Sequence, residues 1–244
     1  MLLLALDTCD ARGSVALIRD GQLLQVGEHD TSDDYSVWLL PAIGGVLTAA
    51  GIAFSEVDVY IAAAGPGSFT GVRVGLATVK AWSEVTEKPI VSVSRLEALA
   101  TLADGSLPYV AAFTNAQRHQ VYGAIYERRD GALLRAGDET VIGAGKFVTW
   151  AAETGAGRGI GWISTDPQMV TETEEWAARQ SVGEGVSEGL QVASPILAPA
   201  IAQLGYRMAL NRRFTDALTL DANYVRRSDA EVAWTDRHAP QPSK

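Results

Sequence analysis

The apolar and polar positions at the start of the chain predict three short strands. Leu2 to Asp7 is a continuous apolar run, and two β-rich runs follow it at Ser14 to Arg19 and Gln22 to Glu28. Asp20-Gly21 separates these last two runs, and such a pair is typical of a hairpin because both turn residues take positive φ. We therefore predict that three antiparallel strands open the chain.

Helical and strand patterns alternate after this meander, which indicates parallel strands joined by crossover helices. The predicted elements are a helix at Ser36 to Ala50, a strand at Val57 to Ala64, a helix at Val72 to Thr86, a strand at Ile90 to Val93 and a helix at Ser94 to Ala103. The first unit therefore has the order βββαβαβα.

A second passage, Pro108 to Glu139, repeats the opening plan. It has strands at Tyr109 to Thr114, Gln120 to Glu127 and Ala132 to Ala136, with the turn Asp130-Gly131 before the last. Asp7 matches Asn115 at an offset of 108 (115 − 7), and Gly21 matches Gly131 at 110 (131 − 21). The near-equal offsets favour an internal duplication over two unrelated meanders.

The remainder follows the same plan more loosely. It contains a helix at Ala144 to Glu153, a strand at Gly159 to Ile163, a polar stretch at 165–188 that we cannot interpret, and a helix at 195–213. Duplicated βββαβαβα units are the plan of the actin, heat-shock ATPase and sugar-kinase superfamily. We predict a two-lobed α/β fold of this actin-like ATPase class, with lobes at 1–105 and 106–227. The helix at 195–213 is expected to pack back on the first lobe, and the tail 228–244 to be disordered.

A glycine-rich segment between a predicted strand and helix is the densest local signal. Glycines there let backbone N–H groups approach a ligand, and the start of the next helix favours an anion. One interpretation is therefore a phosphate or nucleotide loop, and the other is a tight turn in which glycine serves packing. The candidate loop residues are Gly65, Gly67, Ser68, Thr70 and Arg73.

The helices on either side of this strand each carry a second stripe of small residues that ends in tryptophan. Small residues allow close helix approach, and tryptophan is enriched at interface hot spots. The stripes predict a partner-binding surface, and the alternative is that both helices are buried on two sides within one chain. The stripes are Trp38, Ala42, Gly45 and Ala49 in the first helix and Gly71, Gly75, Thr78 and Trp82 in the second.

Composition limits the function. The chain has 244 residues, 47% of them apolar, and a net charge of −9, from 20 basic and 29 acidic side chains. Because nucleic-acid binding depends on basic groups that neutralise phosphates, we expect any role on DNA or RNA to be indirect or confined to a small patch. One cysteine, Cys9, fits a reducing compartment. No signal peptide or membrane span is predicted, so we expect a soluble, cytoplasmic protein.

Catalytic groups are sparse. The three histidines (His29, His119 and His238) are scattered, and no hydrolase-type nucleophile motif is present. We therefore predict no metal site, no cofactor and no catalytic residue. Asp7, followed by Thr8, ends the first strand, where sugar-kinase-like folds place carboxylates near the cleft. Asp7 is either a nucleotide-site residue or a turn residue.

The glycine segment GPGSFTGVRVGLATVKA (Gly65 to Ala81) resembles the signature of the bacterial TsaB family, also called YeaZ. Shorter matches are LALDT (Leu4 to Thr8), SVAL (Ser14 to Leu17), SVSRLEALA (Ser92 to Ala100), VYGAIY (Val121 to Tyr126) and ANYVRRSDAE (Ala222 to Glu231). The resemblance covers most of the first half and islands of the second.

The resemblance implies a non-catalytic subunit. TsaB-like proteins bind the related catalytic subunit TsaD through their first two helices and, with the ATPase TsaE, support formation of threonylcarbamoyladenosine in tRNA. The same surface makes homodimers when the partner is absent. The alternative function is an ATP-dependent small-molecule kinase or nucleotide hydrolase of the same superfold. A peptidase activity has neither a metal pair nor a nucleophile motif to support it.

Four positions depart from the family pattern. The chain has Asn115-Ala116-Gln117 where Asp-Ala-Arg is common, and Gln120 where glutamate is common. Tyr35 replaces the histidine that usually precedes the serine opening the first helix.

Overall fold

The first half of the chain forms a five-stranded sheet. A computed structural model describes residues 1–30, 32–156, 158–181 and 189–225. The strands of the first sheet are β1 (Leu2–Asp7), β2 (Ser14–Arg19), β3 (Gln22–Glu28), β4 (Val59–Ala63) and β5 (Ile90–Val93). They lie in the order β3-β2-β1-β4-β5, with β1 antiparallel to β2 and parallel to β4. All five predicted strands are confirmed.

The second half repeats this topology. Its strands are β6 (Tyr109–Asn115), β7 (Gln120–Arg129), β8 (Ala132–Arg135), β9 (Thr140–Gly143), β10 (Ile160–Ser164) and β11 (Leu190–Val192). Their order is β8-β7-β6-β10-β11, which is the order of the first sheet, and β9 pairs additionally with β7. The predicted duplicated two-lobed fold is therefore confirmed, and β9 is an addition that the sequence pattern did not predict.

Seven helices connect or cover the strands in the described residues. They are α1 (Tyr35–Ala50), α2 (Phe69–Thr86), α3 (Arg95–Ala100), α4 (Ala144–Thr154), α5 (Gln168–Thr171), α6 (Glu174–Ser181) and α7 (Ala198–Leu210), with a 3₁₀ turn at Phe54–Glu56. The polar stretch at 165–188 contains the short helices α5 and α6, and its residues 182–188 lie outside the described residues, as does the predicted tail 228–244. None of the described helices is long and apolar enough to cross a membrane.

Helix α7 packs across the first sheet, against β1, β2, β4 and β5. Close contact is possible because Gly205 has no side chain: a Cβ there would lie 2.6 Å from Ile61 Cδ1. Two hydrogen bonds fix the helix further, since Ser14 Oγ accepts from the Ala198 N–H at 3.0 Å and Gln203 Nε2 donates to the Gly21 carbonyl at 2.6 Å. A helix from the end of the chain thus completes the core of the first lobe.

We predict that Gly205→Val lowers the free energy of unfolding by about 1–3 kcal/mol, because the added methyl groups overlap Ile61. Gly44→Ala on α1 is the control, since nothing lies within 4 Å of a Cβ there. It should raise stability by up to about 1 kcal/mol through helix propensity. Urea denaturation measures both changes, and an unchanged midpoint for Gly205→Val would contradict the packing.

Candidate functional site

A cavity of about 560 Å³ lies between the two sheets. From the first lobe it is lined by the β1–β2 loop, the glycine loop and the start of α3, and from the second lobe by the β6–β7 turn. Residues 222–225, near the end of the described chain, complete the wall. We call this cavity the interlobe cleft.

A buried ion pair lies beneath the interlobe cleft. Arg95, at the start of α3, is 1% exposed and donates from Nε to Asp7 Oδ2 at 3.1 Å, while Asp7 is 0% exposed. A second guanidinium nitrogen, Nη1, lies 3.2 Å from Asp10 Oδ2. Burial lowers the pKa of Arg95, but the charges of Asp7 and Asp10 outweigh it, so the net shift is upward and the guanidinium keeps its charge.

This geometry corrects the suggested nucleotide role of Asp7. Its Oδ1 accepts from the Cys9 N–H at 3.0 Å and its Oδ2 from Arg95, so both carboxylate oxygens are occupied within the chain. Asp7 does not line the interlobe cleft, whereas the partly exposed Asp10 does. Of the two interpretations of Asp7, the structure supports the turn residue, because the contacts of Asp7 anchor the β1–β2 loop.

The glycine loop packs on its own chain. A Cβ at Gly67 would overlap the Cys9 carbonyl oxygen, and Gly65 has a φ of +103°, which favours glycine. Ser68 Oγ accepts from the Gly71 N–H at 3.3 Å, so the first turn of α2 is capped by the loop itself. Of the two interpretations of this loop, the structure supports the tight turn, since its glycines serve contact with the β1–β2 loop.

The other candidate residues, Thr8, Thr70 and Arg73, have separate surroundings. Thr8 Oγ1 donates to the Gly71 carbonyl at 2.7 Å and is buried, whereas Thr70 is exposed. The guanidinium of Arg73 lies over the Phe69 ring at 3.7 Å, and Arg73 Nε donates to the Tyr224 hydroxyl at 2.8 Å. These residues form no shared anion site.

The second lobe contributes the β6–β7 turn to the interlobe cleft. Asn115 Oδ1 accepts from the Gln117 N–H at 2.7 Å, a turn contact that aspartate or asparagine can make. Gln117, Arg118 and His119 all have positive φ, between 54° and 63°. The departure from the family pattern at Asn115 therefore keeps the turn contact and loses only the charge.

The predicted stripe on α2 is buried at its two glycines and half-buried at Thr78 and Trp82, which corrects the proposed role of the glycines. Gly71 and Gly75 are buried, and a Cβ at Gly75 would lie 2.6 Å from Thr8 Oγ1. Thr78 donates to the Val74 carbonyl of its own helix, and the Trp82 ring centroid lies 5.3 Å from that of Tyr60. Small residues occur here because α2 must approach the end of β1, not because a partner binds them.

The predicted stripe on α1 is divided between interior and surface. Trp38 is half-buried, with its ring centroid 5.0 Å from that of His29 and 5.9 Å from that of Tyr35, and Ala42 is also half-buried. Gly45 and Ala49 are exposed. Only the second half of this stripe is fully exposed to another molecule.

A neighbouring row of residues on each helix is open to solvent, and the predicted stripes do not include it. On α1 the exposed residues recur at helical spacing, with Val37 62% and Leu40 60% exposed. The signal in the sequence was the helical spacing of these uncharged residues along α1. We define the outer face as Val37, Leu40, Pro41, Gly44 and Thr48 on α1 with Arg73, Ala77 and Ala81 on α2, all exposed.

No three His, Cys, Asp or Glu side chains come together as a metal site would require in the part of the chain that the structure describes.

The repeated strand order and the interlobe cleft define a two-lobed α/β protein of the actin-like ATPase fold. A family model, TsaD, described as tRNA N6-adenosine threonylcarbamoyltransferase, matches residues 29–166, more than half of the chain. Three relatives are named TsaB, and a solved structure of similar fold is named YeaZ. The chain therefore belongs to the family that this model describes and, within it, to the TsaB/YeaZ group.

Three relatives carry the name "tRNA threonylcarbamoyladenosine biosynthesis protein TsaB". The Escherichia coli protein is 28% identical over 80% of this chain and 94% of its own length, and the Haemophilus influenzae protein is 28% identical over 96% of both. The Bacillus subtilis protein is 31% identical over 54% of this chain and 58% of its own length.

Two solved structures from Pseudomonas aeruginosa have the same fold. One, described as an uncharacterized protein with similarity to peptidase YEAZ, has a TM-score of 0.72 at 27% identity, covering 92% of this chain and 99% of that one. The other, YeaZ, has a TM-score of 0.69 at 24% identity, covering 91% of this chain and 99% of its own.

We predict that Arg95→Leu lowers the free energy of unfolding by about 3–5 kcal/mol, because it leaves the Asp7 carboxylate buried without its cation. Adding Asp7→Asn should recover a large part of that loss, since an amide needs no counter-ion. A double-mutant cycle from urea denaturation measures the coupling. Simply additive effects of the two substitutions would contradict the buried pair.

Proposed function

We propose that this protein is a non-catalytic subunit in the biosynthesis of N6-threonylcarbamoyladenosine in tRNA, and that it binds and activates a TsaD-type catalytic subunit through the outer face. The names of three relatives, two of them matched over most of their length, support a role in this biosynthesis. The family model supports a partner of related fold.

The observation that carries the binding role is the absence of charge on α1. All 16 residues of this helix are uncharged, from Tyr35 to Ala50, although one side of it is exposed. A surface helix of a monomeric protein ordinarily carries charged residues on its solvent side. An exposed apolar row that includes Val37 and Leu40 is typical of a surface that another protein covers.

The shape of the outer face suits another pair of helices. Gly44 on α1 and Ala77 and Ala81 on α2 are small, so a partner helix can approach their backbones closely. Exposed Leu40 is long enough to enter a facing groove. Exposed Arg73 is fixed by its contacts with Phe69 and Tyr224, and arginine is enriched at such interfaces. A TsaD-type partner with corresponding helices would pair through the same elements, and a second copy of this chain would form a homodimer when that partner is absent.

The net charge of the chain supports a role in which another subunit binds the tRNA. With a net charge of −9, this subunit is a poor surface for phosphates. The TsaD-type subunit would therefore contact tRNA, and a TsaE-type ATPase would act through the complex. No observation favours the kinase or nucleotide hydrolase alternative: Asp7 is paired with Arg95 and does not line the interlobe cleft.

We predict that Leu40→Arg and Ala77→Arg each weaken binding to the TsaD-type subunit at least about tenfold, which corresponds to about 1.4 kcal/mol. The added side chain would either clash with the partner or bury an unpaired charge. Sedimentation velocity and calorimetry measure binding, and reconstituted threonylcarbamoylation of tRNA should decline in parallel.

Val192→Arg is the matched control, because Val192 is a 65% exposed valine on β11 of the second sheet. It should bind like the unmodified chain. Gly75→Arg is unsuitable, since Gly75 is buried against Thr8 and the variant would test folding. Full binding by both outer-face variants would refute the proposed surface, and full tRNA modification without this protein would refute the activating role.

A further inference from the structure

Glu139, in the loop between β8 and β9, contacts three separate segments of the chain. Its side chain is 2% exposed. It accepts hydrogen bonds from Ser94 Oγ at the N-cap of α3, from Asn223 Nδ2 near the end of the described chain, and from the Tyr126 hydroxyl on β7 at 3.4 Å. One buried carboxylate therefore joins the first lobe, the second lobe and the C-terminal segment.

The charge of Glu139 is held mainly by these neutral donors. Arg135 Nη1, the nearest cation among the described residues, lies 3.8 Å away on a side chain that is half exposed. Burial raises the pKa of Tyr126, and the charge of Glu139 adds to the rise, so the hydroxyl keeps its proton and remains a donor. A second carboxyl group, that of Glu97, lies nearby, and the charges of Glu139, Arg213 and Arg135 act on Glu97. Because a buried carboxylate requires its donors, loss of any one is costly.

The hydrogen bond to Asn223 fixes a segment that closes the interlobe cleft. We call residues 221–225 the strap. The Asn223 N–H donates to the Ala64 carbonyl at 2.7 Å, beside the glycine loop. One residue further on, the Tyr224 ring centroid lies 5.4 Å from that of Phe69, and its hydroxyl accepts from Arg73. The strap thus runs from the end of β4 to the start of α2, along the wall of the cleft.

We propose that Glu139 is a latch: it holds the two lobes and the strap in one closed arrangement, and its release opens the interlobe cleft without unfolding the protein. The proposal does not rest on partner binding by the outer face, although Arg73 of that face also contacts the strap. It follows from the position of Glu139, where a single carboxylate bridges the α3 N-cap, β7 and the strap. The three hydrogen bonds that Glu139 accepts are side-chain bonds, so they can separate without breaking either sheet.

Cys9 provides a built-in probe of this opening. It is the single cysteine in the chain, it lines the interlobe cleft and it is 1% exposed. Burial raises the pKa of its thiol, so a thiol reagent should react slowly until the cleft opens. The rate of Cys9 modification in the full chain under native conditions therefore measures the population of the open form.

Glu139→Gln and Asn223→Ala should each accelerate Cys9 modification at least about tenfold, because each removes a strong hydrogen bond of the latch. Asp138→Asn is the matched control: it removes an adjacent exposed carboxylate and should leave the rate unchanged. Asn223→Ala alters only the half-buried strap, so it keeps the test valid if Glu139→Gln does not fold.

A core variant separates opening from general destabilisation. Val148→Ala, in α4, weakens the second-lobe core without touching the latch. At low urea, modification of the latch variants should be nearly independent of urea concentration, since opening exposes little surface, whereas modification through global unfolding rises steeply with urea. The latch would be refuted if Glu139→Gln and Asn223→Ala react no faster than Val148→Ala at equal unfolding free energy, or with the same urea dependence.

Discussion

The first lobe is organised around the buried pair of Arg95 and Asp7. Asp7 ends β1, the central strand of the first sheet, and Arg95 begins α3 after the edge strand β5. Their contact, 3.1 Å between Arg95 Nε and Asp7 Oδ2, joins the central strand of the sheet to the helix that follows its edge strand, beneath the interlobe cleft. Desolvating two charges is costly unless each has its partner. The pair therefore requires the β1–β2 loop and α3 to keep one relative position.

Two further features of the site depend on that position. The β1–β2 loop offers the Cys9 carbonyl to the Ser68 N–H at 2.6 Å, so the glycine loop rests on it. Thr8 in the same loop contacts Gly71 and Gly75 of α2. Helix α2 therefore packs on the end of β1, with Gly71 and Gly75 facing inward. Its outer residues are left on the surface beside α1, where a partner can reach them.

The fold was predictable from the sequence because its signals are local and periodic. The turns Asp20-Gly21 and Asp130-Gly131 are both found with positive φ, and the strands on either side of them form as predicted. The polar stretch at 165–188 was not predictable, because α6 buries chiefly one side chain, Trp176, and a single anchor produces no periodicity.

The candidate site was only partly predictable. Helices α1 and α2 were identified as the binding elements by a resemblance and by their small residues, and that assignment remains a proposal. The prediction was wrong at Gly71 and Gly75 of α2, because a glycine that packs against Thr8 and a glycine that faces a partner look alike in sequence. The network around Glu139 was not predictable, since Ser94, Tyr126 and Asn223 are far apart in the chain and meet only in the fold.

Hydrogen exchange of the protein with and without its TsaD-type subunit tests the central claim most directly. Binding through the outer face should slow amide exchange in α1 and α2 and leave β11 and its neighbour β10 unchanged. Slower exchange confined to the β6–β7 turn, the strap or the second sheet, with α1 and α2 unaffected in a complex that forms, would contradict the account.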